Sequence, residues 1–264
     1  MERQVRPIVL LTDFGLTDHY VGVMKGVILS LHPQAQIIDL SHEIEPQDIA
    51  SAQILLRNAH AYFPKKSIFV SVVDPGVGTD RPILGVETKE HIFLAPDNGL
   101  LGFLKESPSL RRIIEIQDEK YFRSPVSDTF HGRDIFAPVA AHLSCGTPLE
   151  KMGTETETLA QLDIPGPTIS SEEIMGRVTA VDRFGNLITD ISKKMIPEGT
   201  QIAISIGKSR IEGLSRTYAE RKGKKPLALF GSDGMVEISI NQGNAAKQLE
   251  ISVGTPVCIR IEKI

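Results

Sequence analysis

The residues of this chain that could carry chemistry lie around a carboxylate and a guanidinium seven positions apart. In the stretch VVDPGVGTDRP, Asp74 follows an apolar run ending at Val73, and Arg81 lies beyond a turn that contains two glycines and a proline. His131 lies in the later stretch DTFHGRD. Histidine exchanges a proton near neutral pH, a carboxylate orients it or takes the proton itself, and a guanidinium stabilises an anion. Together these three side chains could polarise a water molecule toward hydroxide without a metal ion.

Other polar residues lie where strands are expected to end. Asp13 follows the first apolar run, in TDFG, and Asp39 and His42 lie in DLSHEIEPQD. Each has a structural interpretation as well: Asp13 could cap a turn, and Asp39 and His42 could bond to neighbouring backbone. The triplet Asp97–Gly99 is typical turn chemistry. Asp74 and His131 are therefore the residues for which we favour a functional interpretation.

Other reaction classes lack their motifs in this sequence. There is no GxSxG segment of the serine-hydrolase type. Neither GxxxxGK[ST] nor GxGxxG is present to bind a phosphate or a dinucleotide. A hydrolytic metal site built from Asp and His is the main rival, but no HExxH or tight ligand cluster supports it. We therefore predict that the protein binds no metal.

Composition limits the classes of partner. The chain has 264 residues, a formal net charge of −4 and a pI of about 6.0. These values give no basic footprint for nucleic acid or for an anionic membrane. The two cysteines form no CxxC pair, the first residues do not resemble a signal peptide, and no stretch approaches the length of a membrane span. We predict a cytoplasmic protein.

The pattern of apolar residues divides the chain into two parts. Strand-like runs alternate with helix-like segments through about residue 163, which indicates an α/β domain with a mostly parallel sheet covered by helices. Residues 164–175, beginning IPGPTISSEE, are rich in proline, glycine and serine and indicate a linker. Residues 176–264 contain six short strand-like runs with turn signals between them. They predict a small β-barrel domain.

Seven segments resemble a known family and occur in its order. They are TDFG, DLSHEIEPQD, VVDPGVGT, APDNGLL, FHGRDIFAP, DRFGNLITDI and GSDGMVEISINQGNAA. Together they are similar to the S-adenosyl-L-methionine (SAM) hydroxide adenosyltransferases, which hydrolyse SAM to adenosine and methionine and are relatives of the fluorinases and chlorinases. The resemblance extends from about Val5 to Ile261, and seven ordered motifs are far more specific than one.

The resemblance implies a mechanism and an assembly. Asp74, Arg81 and His131 match the family's catalytic trio, in which water attacks C5′ of the substrate ribose. No cofactor is implied, because SAM is the substrate. The family forms homotrimers in which SAM lies between the N-terminal domain of one subunit and the C-terminal domain of the next.

The same resemblance implies substrate-binding residues. Asp13 matches a residue that bonds the ribose hydroxyls, and Phe130 one that forms a wall against the substrate. In the C-terminal domain, the corresponding positions are Asp182 for the methionine ammonium, Phe184 for adenine stacking, Asn186 for the adenine edge, Ser232 for the methionine carboxylate, and Glu237 as a further lining residue.

Three positions depart from the halide-using branch of the family. That branch has tyrosine where this chain has Asp74, and a Tyr-Ser pair in place of His131-Gly132. A carboxylate and a histidine favour water over halide as the nucleophile. Ser232 is followed by Asp233, where the halogenases have arginine. A halide-dependent nucleoside-forming enzyme and a SAM or adenosine sensor with slow turnover are the alternatives to SAM hydrolysis.

Overall fold

The chain divides into two units near residue 163. The computed structural model describes residues 6–221 and 223–262, so the outer ends of both predicted domains lie outside the described residues. One unit extends to Asp163 and the other begins at Ile164. Within the described residues, no helix combines the length and the apolar character that crossing a membrane requires.

The N-terminal unit is built on a mixed sheet of seven strands in the order β2-β1-β3-β5-β4-β6-β7. The four strands β2, β1, β3 and β5 pair in parallel. The remaining three neighbour pairs are antiparallel, so the mostly parallel character that we predicted is confined to one half of the sheet. The strands are β1 (Ile8–Thr12), β2 (Ile37–Ser41), β3 (Ile68–Val72), β4 (Ile83–Thr88), β5 (Ile92–Pro96), β6 (Leu110–Ile116) and β7 (Gly153–Thr156).

A short connection explains why the sheet changes direction. Only residues 89–91 separate β4 from β5, and a link of this length can close an antiparallel hairpin but not a parallel crossover. Thr88 fixes the turn, because its hydroxyl accepts the N–H of His91 at 2.9 Å. The α/β class is confirmed, with the antiparallel strands added at one side.

Helices cover both faces of the parallel half. Every residue of β1 and β3 is buried, as expected for strands covered on both sides. Alternate side chains belong to two separate cores: Ile8 and Leu10 pack with helices α1 and α3, and Val9 and Leu11 pack with helix α2. The helices are α1 (Tyr20–Leu31), α2 (Ile49–Ala59) and α3 (Ala137–Ser144).

The boundaries of α2 and α3 differ from the sequence pattern for local reasons. The sequence predicts a helix start at Pro46, but α2 begins at Ile49 because the carboxylate of Asp48 accepts the N–H of Ser51 at 2.9 Å and caps the first turn. The sequence also predicts a single helix from Asp134 to Ser144. The structure instead has a π-helical segment, Gly132–Phe136, directly before α3. Such segments insert one residue per turn and are frequent at functional sites.

The C-terminal unit is a nearly closed antiparallel sheet in the order β12-β11-β15-β9-β10-β14-β13, which confirms the predicted barrel. The hydrogen bond from the Ser215 N–H to the Ala228 carbonyl (2.7 Å) joins the segment that follows β12 to β13, at the other end of the sheet. Alternate residues of the strands fill one core. The elements are β8 (Thr168–Ile169), β9 (Glu173–Val181), β10 (Leu187–Ser192), β11 (Gln201–Ile206), β12 (Ser209–Glu212), β13 (Pro226–Phe230), β14 (Met235–Ile240), α4 (Ala245–Leu249) and β15 (Pro256–Glu262).

Three strands were not predicted: β7, β8 and β12. Each has only two to four residues, too few to give a clear alternation of apolar and polar side chains. The predicted linker, residues 164–175, contains β8 and the first three residues of β9, and these two strands pair with each other.

Candidate active site

Polar residues collect where the parallel strands end. Asp13 directly follows β1, and Asp74 lies two residues beyond β3, its hydrogen-bonded neighbour in the sheet. Parallel strands end at the same edge of a sheet, and open α/β folds bind their ligands at that edge. Sequence placement and topology therefore agree on this edge.

Asp74 and Arg81 form a buried two-point ion pair. Arg81 Nε donates to Asp74 Oδ1 at 2.6 Å, and Arg81 Nη2 donates to Asp74 Oδ2. The two side chains retain only 4% and 9% of their accessible surface, so water screens the pair little. The geometry holds the carboxylate in one orientation.

One glycine lets the loop from Asp74 to Arg81 fold back on itself. A Cβ at Gly76 would meet only ordinary contacts, the nearest 3.4 Å away at Cδ of Arg81, so Gly78 is the position that matters. Gly78 has a φ of 79°, and a Cβ there would lie 2.3 Å from the carbonyl oxygen of Asp128. Only glycine avoids both the backbone strain and the clash at position 78.

His131 joins the pair through its Nδ1 atom. Arg81 Nη2 lies 3.0 Å from this nitrogen. A guanidinium can only donate, so Nδ1 carries the lone pair, and in the neutral ring the proton is on Nε2. Burial and the charge of Arg81 lower the pKa of His131, although Asp74 raises it in part, so the neutral ring is the form present at pH 7.

An acidic residue anchors the segment that carries His131. Asp134 is fully buried and accepts hydrogen bonds from Arg133 Nε at 2.7 Å and from the Ser127 N–H at 2.9 Å. Burial opposes its charge, but these hydrogen bonds outweigh burial and lower the pKa of Asp134. The charged carboxylate thus links Ser127 and Asp134, which lie on either side of His131 in the sequence.

Asp13 and Phe130 lie in neighbouring loops of the same unit. Asp13 Oδ2 accepts the N–H of Gln47 at 2.8 Å. The ring of Phe14 lies 5.9 Å from the ring of Phe130. Since Phe130 precedes His131, this aromatic contact joins the turn after β1 to the loop of the trio.

The five predicted residues of the C-terminal unit line one cavity of about 960 Å³. They are Asp182, Phe184, Asn186, Ser232 and Glu237. Phe184 is 75% exposed, so its ring face is available to a ligand.

The carboxylate of Asp182 accepts three hydrogen bonds within its own turn. Its Oδ1 accepts the N–H groups of Phe184 (2.9 Å) and Asn186 (2.8 Å), and its Oδ2 accepts the side-chain amide of Asn186 at 2.8 Å. These bonds fix the orientation of Phe184 and Asn186. A structural role for Asp182 is therefore observed, whereas its predicted contact with an ammonium group stays a prediction.

Tyr218 is a residue of this cavity that the sequence did not identify. Its hydroxyl donates to Glu237 Oε1 at 2.9 Å, and Ser239 donates to the same oxygen at 2.6 Å. Burial, together with Glu237, raises the pKa of Tyr218 to about 12. The only signal in the sequence was an aromatic residue within the polar stretch SRTYAE. Glu237, 5% exposed, is thus a buried carboxylate facing the cavity with hydroxyl partners.

Within residues 6–221 and 223–262, no group of three or more His, Cys, Asp or Glu side chains is placed to hold a metal ion. The trio of Asp74, Arg81 and His131 presents one basic, one acidic and one neutral group instead. That combination suits the positioning and partial deprotonation of water.

Comparisons with known proteins cover both units. Residues 8–153 match the family model described as SAM hydroxide adenosyltransferase N-terminal domain, and residues 176–258 match that of its C-terminal domain. A protein of Thermus thermophilus named (R)-S-adenosyl-L-methionine hydrolase is 37% identical, over 96% of this chain and 99% of its own. A fluorinase of Nocardia brasiliensis is more distant, at 26% identity over 97% of each chain. The crystal structure of a conserved protein from Thermotoga maritima superposes with a TM-score of 0.89, at 37% identity and over 96% of this chain and 99% of that one.

Proposed function

The chain belongs to the SAM hydroxide adenosyltransferase family, and on this premise we propose that it hydrolyses SAM to adenosine and L-methionine. The observation that carries the proposal is the contact of Asp74, Arg81 and His131 at the ligand-binding edge of the sheet. The relative from Thermus thermophilus is named for the (R) form of SAM, and we extend the proposal to that form.

The reaction needs an activated nucleophile rather than an acid. The oxygen of water forms a bond to C5′ of the ribose, the C5′–S bond breaks, and its electron pair stays on sulfur. Methionine then leaves as a neutral thioether. The protein has to align the water opposite the C5′–S bond and remove its proton.

The hydrogen bonds of the trio indicate which residue orients the water and which removes its proton. His131 Nδ1 is engaged by Arg81, so its Nε2–H is a donor that orients the water. Asp74 uses one lone pair of each carboxylate oxygen for Arg81, which leaves lone pairs to take the proton. Arg81 Nη1 is buried and has no hydrogen-bond partner among the described residues, so it can donate to the developing hydroxide.

The substrate contacts follow the family resemblance. We propose that Asp13 holds the ribose hydroxyls and that Phe130 packs against the ligand. In the cavity of the C-terminal unit, Phe184 would stack on adenine, Asn186 would bond its edge, and Ser232 would bond the methionine carboxylate. Asp182 would hold the methionine ammonium, as the resemblance implies, and Glu237 would line the same cavity.

We also propose a cytoplasmic homotrimer in which each site combines the N-terminal unit of one subunit with the C-terminal unit of the next. The support is that each unit carries a different part of the predicted site. Light scattering of the active protein tests the assembly. A monomer that turned over SAM at full rate would contradict the shared site.

The function is tested by incubating the purified protein with separated (R) and (S) forms of SAM, without halide, and resolving the products by chromatography. Equal amounts of adenosine and methionine, formed faster from the (R) form, are expected. Tight binding of SAM without turnover would instead favour the sensor. Product formation only with halide would favour the halide-dependent enzyme, to which the fluorinase relatives point.

Two further experiments test the chemistry. Asp74→Asn should lower kcat at least 100-fold while SAM still binds, because the amide cannot take a proton and offers Arg81 one oxygen acceptor in place of two. Full activity in Asp74→Asn would contradict the proposed roles.

Treatment with a chelator should leave the activity unchanged. Activity that is lost on such treatment and restored by added metal would favour metal-assisted hydrolysis instead.

A further inference from the structure

A chain of four side chains runs from helix α1 to the end of β1. Lys25 Nζ donates to Asp39 Oδ2 at 2.6 Å, and Asp39 Oδ1 lies 3.0 Å from His42 Nε2. His42 Nδ1 lies 2.8 Å from the hydroxyl oxygen of Thr12. The last two members are buried, with 3% exposure for His42 and none for Thr12. The trio of the proposed reaction uses none of these residues.

The direction of each hydrogen bond follows from the chemistry of the groups. Burial opposes the charge of Asp39, but the hydrogen bonds from Lys25 and His42 outweigh burial and lower the pKa of Asp39. Its ionised carboxylate can only accept, so His42 Nε2 carries the proton. In the neutral ring, Nδ1 then accepts the O–H of Thr12. The Thr12 oxygen in turn accepts the N–H of Phe14 at 3.2 Å.

The network ends on the turn that carries Asp13. Besides the Phe14 N–H, the Gly15 N–H donates to the backbone carbonyl of His42 at 2.7 Å. The Gln47 N–H donates to Asp13 Oδ2, and Gln47 has a left-handed φ of 69°, a conformation that residues other than glycine adopt only when their surroundings impose it. Hydrogen bonds therefore connect residues 12–15 to residues 42–47 on both sides of Asp13.

We infer that His42 is a positioning residue: through Thr12 it fixes the turn that orients the Asp13 carboxylate toward the ribose hydroxyls of the ligand. Asp13 Oδ2 is held by Gln47, and its Oδ1 has no partner among the described residues and is the atom offered to the ligand. This inference rests on the proposed function for the identity of the ligand, although the fixed turn itself does not.

The inference is tested in the full-length protein with two variants of His42 and a matched control. His42→Ala removes both ring nitrogens, and His42→Asn restores an acceptor near the position of Nδ1. The control is His32→Ala, because His32 Nδ1 also pairs with a hydroxyl, that of Ser144 at 2.7 Å, in the same unit but at the opposite end of α1. Both alanine variants lose a histidine–hydroxyl bond, but His42 is also more deeply buried and bonds Asp39, so each exchange rate is compared with amides of β3 in the same variant.

The first measurement is hydrogen exchange of the Phe14, Gly15 and Gln47 amides, which needs no ligand. In His42→Ala these amides should exchange at least tenfold faster than in the parent protein, relative to amides in β3, and in His32→Ala they should not change. Unchanged exchange in His42→Ala would overturn the inference, because the turn would then hold without the ring.

The second measurement is the ratio of dissociation constants for 2′,3′-dideoxyadenosine and adenosine, which reports recognition of the ribose hydroxyls alone. Hydrogen bonds to a charged group predict a ratio of about 10 or more for the parent protein. The ratio should approach 1 in His42→Ala, recover in part in His42→Asn and stay at the parent value in His32→Ala. A parent ratio that persists in His42→Ala would refute the positioning role. If the parent bound no adenosine, SAM turnover would still decide the proposed function, and amide exchange alone would decide whether His42 fixes the turn.

Discussion

Arg81 connects the other two members of the trio, because one of its nitrogens, Nη2, donates to both Asp74 and His131. The guanidinium thereby fixes which ring nitrogen of His131 is protonated. It also leaves the carboxylate of Asp74 as the group with lone pairs to spare. The division of roles within the trio thus depends on the planar, multiple-donor geometry of arginine, which lysine does not reproduce.

Arg81→Lys should therefore lower kcat/KM although the positive charge is retained. A lysine amine cannot bond both Asp74 oxygens and His131 at once, and each lost bond to a charged group is worth about 1.5–3 kcal/mol. That corresponds to roughly a 10- to 150-fold loss per bond. Steady-state kinetics with SAM measure it. Arg112→Lys is the control, since Arg112 pairs with Glu87 at 3.0 Å on another part of the sheet and should keep parent kinetics.

The pH profile tests the state of His131. When the ring gains a proton on Nδ1 it can no longer accept from Arg81, so activity should fall on the acid side. Burial and Arg81 lower the pKa of His131, so this fall should lie below the ordinary histidine value of about 6.5. Asp128 raises the pKa of His131, so Asp128→Asn should move the fall in kcat/KM to still lower pH. A midpoint at or above 6.5, or one that Asp128→Asn leaves in place, would contradict this assignment.

At the scale of elements, the loop between β3 and β4 folds back because position 78 is glycine. Gly78→Ala brings Cβ within 2.3 Å of the Asp128 carbonyl oxygen and also strains the backbone at a φ of 79°. The loop must move away from residues 128–131, so Arg81 should lose His131. We expect a loss of activity of at least 100-fold.

Gly146→Ala separates the clash from the backbone strain. Gly146 has a φ of 98°, but a Cβ there meets no atom within 4 Å. Gly146→Ala should therefore lower the unfolding free energy only through backbone strain, by about 1–2 kcal/mol, and should leave kcat unchanged. Denaturant unfolding and kinetics of both variants make the comparison. Equal activity in the two variants would mean that the contact of Gly78 with Asp128 does not position the trio.

At the scale of the whole molecule, acid should weaken the two units unequally. All seven histidines precede residue 143 in the sequence, so the C-terminal unit has none. Burial lowers the pKa of four of them in the N-terminal unit: His60, His91, His131 and His142. Below about pH 6.5 these histidines bind protons in the unfolded chain but remain neutral in the folded unit. The contribution of the four histidines to the stability of the N-terminal unit is therefore complete above this pH and is lost as the pH decreases.

Hydrogen exchange of the full chain at pH 7.5 and 5.5, corrected for the intrinsic rates, should show protection falling in residues 6–163 more than in residues 164–262. His91→Phe should reduce this pH dependence, because His91 packs edge-on against Phe69 at 5.2 Å and an aromatic ring without a proton site fits that environment. Equal loss of protection in both units, or a pH dependence that His91→Phe leaves intact, would argue against buried histidines as the cause.

The sequence by itself determined those features of the fold and of the candidate site that depend on the pattern of neighbouring residues. Continuous apolar runs at β1 and β3, helical spacing in α1 and the change of rhythm near residue 163 gave an α/β unit followed by a barrel. Asp74 and His131 were identified because a carboxylate at the mouth of an apolar strand indicates a group held by its surroundings, and because histidine exchanges a proton near neutral pH. These signals are carried by neighbouring residues, so they can be read without the fold.

Tertiary structure decided what depends on contacts between distant residues. The sequence could not show that Arg81 shares one nitrogen between Asp74 and His131, because 50 positions separate Arg81 from the histidine. Nor could it show that the carboxylate of Asp182 accepts hydrogen bonds within its own turn, or that the hydroxyl of Tyr218 donates a hydrogen bond to Glu237. The tautomer of His131 and the partners of His42 are likewise set by which donor meets which acceptor, and only the folded chain fixes those meetings.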